Sequence, residues 1–233
     1  MRKTANRWSL QIGGSGIMVR EGTGPARRCG GIDSIAAHSM GCYGQKMADD
    51  KYSSFNDLAA AERRGEDYEF ESRPRDASRV VVIAPHGGTI EPCTDKIADA
   101  IAGRDFSFYC FKALKKNSGL HIKSHLFNEP NCEKLVAGHH QVISIHGWKE
   151  GGERVCVGGR DAELIAALKK ELVAKGIPVE DAEGSLKGTD INNIVNRGAT
   201  GRGAQLELTM DFRKNAAQVE KFITAMRAVL LGA

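Results

Sequence analysis

The chain has 233 residues, 41% of them apolar and 27% charged, with six cysteines and a formal charge of +4. That length suits one domain, the apolar share is too high for a wholly disordered chain, and no window approaches the roughly 18 uninterrupted apolar residues of a membrane-spanning helix. The charge does not describe a nucleic-acid groove either, because residues 1–46 hold seven basic and two acidic side chains and the remainder is close to neutral.

Residues 1–46 also contain nine of the 27 glycines and show no sustained apolar periodicity. The stretch from Trp8 to Val19 is broken by Gln11 and glycines and lacks a small-residue cleavage site, so it does not read as a secretion signal. Met47-Ala-Asp-Asp resembles a start of translation. The expected division is therefore a basic, glycine-rich leader over 1–46, disordered or an upstream extension, and one folded domain over 47–233. The cysteines form no C-x-x-C pair, which suits reduced thiols in a cytoplasm.

Residues 47–78 are charged and weakly patterned, giving a helix near 56–64 and then a loop toward Pro74. Arg79 to Ala84 is a continuous β-branched run, the mark of a strand buried on both faces and central in its sheet. A helix is predicted over 94–102, with Ile97, Ala98 and Ile101 on one side and Gly103 to end it. Strands follow at Phe106–Phe111 and Leu120–Ser124, then a short helix opened by Pro130 and ending near Gly138. Gln141–His146 is a second central strand and Arg154–Val157 another. Asp161 starts an amphipathic helix whose stripe is Leu164, Ile165, Leu168, Leu172 and Val173, ended by Gly176 and Pro178. Residues 177–180 suit a short edge strand, 183–203 a polar connection, Ala204–Thr209 a strand, and 214–231 a closing helix. Strands alternating with helices indicate an α/β layer structure on a mixed, largely parallel sheet.

Chemistry concentrates at Pro85-His-Gly-Gly-Thr-Ile-Glu-Pro92, just past the carboxyl end of a central strand, where open α/β sheets form their ligand crevice. His146 ends the other central strand and is also followed by glycine. If the two strands are parallel and finish level, His86, Glu91 and His146 meet at one rim. Two imidazoles, a carboxylate and an open position suit a catalytic zinc, although a lone histidine at a strand end is commonly a surface group. His121, His125, His139 and His140 read as surface residues, and Cys110 and Cys156 as small core residues. Glu207 is a single acid between Leu206 and Leu208, with uncharged same-face neighbours Gln205 and Thr209. It is either a core ion-pair partner of Arg197 or Arg202, or a general base. Asn196-Arg197-Gly-Ala-Thr-Gly-Arg202 supplies guanidinium forks suited to a substrate carboxylate, unless they are merely solvated. Neither a G-x-S-x-G elbow nor a G-x-x-x-x-G-K-[ST] loop is present.

These motifs, together with Phe127-Asn-Glu-Pro130, Val157-Gly-Gly-Arg160 and Asn193-Ile-Val-Asn-Arg197, resemble in order the poly-γ-glutamate hydrolases of phages and bacteria, over about 50–232. The resemblance implies a single-domain, three-layer α/β/α fold similar to zinc carboxypeptidases. It implies zinc on His86, Glu91 and His146, Glu207 as base, and Asn196 with Arg197 on the substrate carboxylate, Arg202 and Arg160 being further cations for an acidic polymer. The spacing H-x-x-x-x-E departs from the H-x-x-E of the carboxypeptidases and is shared with the phage enzymes. The expected protein is thus a monomeric zinc-dependent γ-glutamyl amide hydrolase, cytoplasmic or released on lysis. A zinc amidohydrolase of small N-acylated glutamates is the alternative, and a nucleic-acid-binding protein using the basic arm a third reading.

Overall fold

The structure, a computed structural model, describes residues 50–115 and 119–232, so the leader expected over 1–46 lies outside the described residues. Its elements are α1 (Phe55–Ala61), β1 (Tyr68–Arg73), β2 (Val80–Gly88), α2 (Thr94–Ala102), β3 (Ser107–Ala113), α3 (Pro130–Ala137), β4 (Gln141–Trp148), β5 (Val155–Gly159), α4 (Ala162–Ala174), β6 (Val179–Asp181), β7 (Ala204–Thr209), α5 (Met210–Lys214) and α6 (Ala216–Leu231). Short 3-10 turns lie at Gly184–Lys187 and Ile194–Asn196.

The seven strands form one mixed sheet in the order β1-β3-β2-β4-β7-β5-β6. Strand β2 is parallel to β3 and β4, and β4 to β7, while β1 and β5 join antiparallel. The β-branched runs of β2 and β4 are covered on both faces, as a central position requires. One face packs Val82, Ile143, Leu206 and Leu208 against α2, α4 and α6 through Ile97, Ile101, Leu168, Leu172 and Phe222. The other packs Val81, Ile83, Tyr109, Phe111 and Val142 against α1, α3 and the connection after β3 through Leu58, Val136, Ile122 and Phe127.

Three expectations give way. Residues 120–124 form no strand: Leu120 and Ile122 are buried, but in an irregular crossover from β3 to α3 rather than in the sheet. Where a loop was expected, Tyr68–Arg73 pairs with β3 as an edge strand, and its partly exposed pattern explains the weak signal. Val173 is 61% exposed and leaves the stripe of α4, which Leu164, Leu168 and Leu172 carry. The closing helix expected over 214–231 is α6, preceded by the short α5, and between them the Asn215 side chain accepts from the N–H groups of Ala217 and Gln218.

Candidate metal centre and active site

Strands β2 and β4 run parallel with Val80 opposite Gln141 and Ile83 opposite Ser144, so their carboxyl ends finish together. An irregularity between Ala84 and Gly87 inserts one residue against β3. That extra residue shifts the side-chain alternation and turns His86 onto the face of Ile83, toward the crossover. The chain then curls back, the Glu91 N–H donating to the His86 carbonyl at 2.9 Å.

His86 and His146 are buried, and the Glu91 side chain is 13% exposed. His86 Nε2 lies 2.8 Å from the Ile122 carbonyl oxygen. A carbonyl only accepts, so that nitrogen carries the proton and Nδ1 presents its lone pair. Nδ1 stands 3.0 Å from Glu91 Oε1 and 3.1 Å from His146 Nδ1, and the latter is 3.5 Å from Glu91 Oε2. Glu91 Oε2 also accepts from the Gly147 N–H at 2.7 Å, and Ser144 Oγ bonds His146 Nε2 at 2.7 Å.

His121, read from sequence as a surface residue, belongs to this cluster. Its ring centroid is 4.1 Å from that of His86, and its Nδ1 is 2.8 Å from Asp50 Oδ1. A proton given to that carboxylate leaves Nε2 bare, the usual backing of a metal-bound histidine. Ligand atoms of His86, Glu91 and His121 lie within 4.8 Å of one another. The irregular crossover carries His121 over the end of β2, where a straight strand would not have put it.

Glu207 lies opposite His146 in the β4–β7 register and is buried. Its Oε1 accepts from Gln205 Nε2 at 2.9 Å, and Gln205 Oε1 accepts from Asn193 Nδ2 at 2.9 Å. Burial raises the Glu207 carboxyl to about 7, the charge of Glu91 adding to the effect and His146, His86 and Gln205 opposing it. Burial also works against ionisation of Glu91, but with no metal present the imidazoles of His86 and His146, when protonated, hold it well below the ordinary carboxylate range. His121 is pushed down to about 4, first by burial and then by His86.

These residues fit a metal ion. Nitrogen and oxygen lone pairs converge in a buried place, where they repel unless a proton or cation stands among them, and the donor set is one zinc accepts. Separations of 3.0, 3.1 and 3.5 Å bracket the edge of about 3.3 Å expected between ligand atoms roughly 2.0–2.1 Å from a tetrahedral centre.

Residues 52–226 match the family model described as poly-gamma-glutamate hydrolase. The chain belongs to the poly-γ-glutamate hydrolase family. It is 36% identical over 172 residues to UPF0714 protein YndL of Bacillus subtilis strain 168, spanning 72% of this chain and 67% of YndL. Among solved structures it resembles a bacteriophage poly-γ-glutamate hydrolase with a TM-score of 0.74 and 29% identity, over 78% of this chain and 97% of the phage protein. A zinc-free apo structure of YndL matches with a TM-score of 0.72 and 31% identity, over 77% and 96% of the two chains.

The remaining residues that the family resemblance singles out stand elsewhere. Asn196 is buried, its Nδ2 donating to the carbonyls of Gly188 and Asp190 and its Oδ1 accepting from the Gly203 N–H. Arg197 donates to the carbonyls of Asn192, Phe127 and His125 and to Glu133 Oε1 at 2.7 Å. Both side chains are thus bonded within the fold. Arg197 ties the His121 crossover to the 190s segment, and Glu207 pairs with neither arginine suggested for it. Arg202 lies 3.8 Å from Asp161 and 3.9 Å from Glu163, and Arg160 donates to the Thr189 carbonyl at 3.3 Å. Both flank the amino end of β7, where Gly159 pairs with Ala204, roughly 10 Å along the strand from Glu207. Cys110 and Cys156 are buried as expected, and burial pushes the Cys110 thiol to about 11. His139 is also buried, its ring nitrogens bonded to the Leu135 carbonyl and Ser107 Oγ.

Proposed function

We propose that this protein cleaves the γ-glutamyl amide bonds of poly-γ-glutamate by zinc-assisted hydrolysis, with the metal on His86, Glu91 and a second imidazole and with Glu207 as general base. The observation that carries the reading is the bare Nδ1 of His86 facing a carboxylate oxygen at 3.0 Å and another imidazole nitrogen at 3.1 Å. Family membership supports the substrate, and the existence of a structure of YndL distinguished as zinc-free supports the metal. For the second imidazole both His146 and His121 are in reach.

Zinc bound there would lower the pKa of a water toward neutrality and polarise the amide carbonyl. Gln205 holds Oε1 of Glu207, which leaves Oε2 to take the proton of the attacking water. A carbon–oxygen bond forms, the carbon–nitrogen bond breaks, and Glu207 returns the proton to the departing amine. Arg160 and Arg202 are the cations proposed to meet α-carboxylates farther along the polymer; their replacement by Gln should raise KM without moving the bond that is cleaved. The test is digestion of poly-γ-glutamate by the zinc-loaded protein, read as product size. Oligomers from wild type and a loss of about 10²- to 10⁴-fold in Glu207→Gln are expected. An intact polymer would overturn the substrate, and an active Glu207→Gln would overturn the base.

A further inference from the structure

Arg213, in α5, is 5% exposed. Its guanidinium donates to three backbone carbonyls: Nε to Leu208 at 3.0 Å, Nη2 to Trp148 at 3.3 Å, and Nη1 to Pro92 by a short bond. Each carbonyl lies one or two residues past a residue of the site. Pro92 follows Glu91, Trp148 comes two after His146, and Leu208 follows Glu207. The three belong to the turn after β2, to β4 and to β7; the ladder between β4 and β7 already sets His146 opposite Glu207, whereas the β2–β4 ladder ends at Ile83 and Ser144, well short of the turn that carries Glu91. A planar, rigid fork can hold three acceptors at once, which an ammonium on a flexible stem does poorly.

Gly147 belongs to the same device. A Cβ there would come 2.5 Å from Arg213 Cζ, so the guanidinium packs on the bare backbone beside His146. The N–H of that glycine is the donor that holds Glu91 Oε2.

We infer that Arg213 is a positioning residue that sets the turn carrying Glu91 at its distance from His146 and Glu207 by clamping the backbone just beyond each. The inference rests on the hydrolase reading above and adds a residue whose guanidinium bonds all go to backbone carbonyls. Without the clamp, the turn carrying Glu91 must be ordered by the metal itself, and that ordering costs metal affinity.

The test compares wild type with Arg213→Lys and Gly147→Ala, using Arg227→Lys as a control for lost arginine bonds, since Arg227 binds the Ile101 carbonyl and Asp105 instead. Three quantities are read: thermal unfolding, zinc affinity by chelator competition, and hydrogen exchange of the Gly147 amide in metal-free protein. Arg213→Lys and Gly147→Ala should fold, weaken zinc by about 10- to 100-fold, lower kcat more than KM changes, and speed exchange of the amide at position 147 relative to its intrinsic rate. Arg227→Lys should change none of these beyond its effect on unfolding. Folded Arg213→Lys and Gly147→Ala with wild-type affinity and exchange would overturn the inference. So would losses in either that the control reproduces at equal stability. If wild type itself binds no zinc and cleaves nothing, the functional reading fails and the inference falls with it; if wild type does both, only the clamp is at stake.

Discussion

A buried imidazole can offer a lone pair only when its other nitrogen has found a partner, and the three histidines of the site meet that condition differently. His86 uses the Ile122 carbonyl, His121 the Asp50 carboxylate and His146 the Ser144 hydroxyl. A catalytic zinc takes three protein ligands, so with His86 and Glu91 as the proposed pair it would leave room for one of the other two. Alanine at that histidine should weaken zinc by at least about tenfold, while alanine at the other should leave binding nearly intact and slow turnover. Chelator competition on both variants decides, and unchanged affinity in both would remove the second imidazole from the metal. The convergence of His86, Glu91, His146 and Glu207 was legible in the sequence because each stands at or near a strand end whose apolar run announces itself. His121 was not, since its surroundings are an irregular crossover and Asp50 is distant along the chain. The bonding of Asn196 and Arg197 was not legible either: a polar, glycine-containing segment looks like an open loop, and only the fold reveals which backbone carbonyls its donors meet.

At the scale of elements, a buried side alone decides which apolar residues count. In α4, Leu172 is fully buried and Val173 is 61% exposed although they are neighbours. Leu172→Ala should cost about 2–5 kcal/mol in chemical denaturation. Val173→Lys should stay within about 0.5 kcal/mol, and a larger loss would mean that this face is covered. Periodicity revealed the central strands and α2, α3 and α4 because each carries a clean apolar pattern with a recognisable end, such as Pro130 at the start of α3 and Gly103 after α2. It did not reveal β1, an edge strand with a half-exposed pattern, and it mistook the buried crossover residues Leu120 and Ile122 for a strand. The bulge that turns His86 inward was equally hidden, because an inserted residue shows only against the partner strand.

At the scale of the molecule, Glu62 links segments far apart in the chain. Its carboxylate receives Lys51 at 2.9 Å and shorter bonds from Tyr52 and Lys115, joining the start of the domain, the end of α1 and the residues after β3. Lys115, Tyr52 and Lys51 together hold its pKa down to about 2 from an ordinary 4.5. A depressed carboxylate contributes stability that is complete above its unfolded pKa and lost as the pH falls through the folded one. The contribution of Glu62 is therefore whole above about pH 5 and fades toward pH 2. Glu62→Gln should lower stability at neutral pH and flatten the acid limb of unfolding in that window, an effect weakened by salt because both lysines are partly exposed. An acid limb identical to wild type would show that the network is dispensable.

In the proposed site, lone pairs of His86, Glu91 and a second histidine converge on one metal ion beside Glu207. Zinc stoichiometry of the dialysed protein, wild type against His86→Ala, tests it most directly. One zinc per chain in wild type, with none in a folded His86→Ala, is the result this account requires. A wild-type protein that takes up no zinc, or a His86→Ala that keeps it, would rule out a metal centre built on His86.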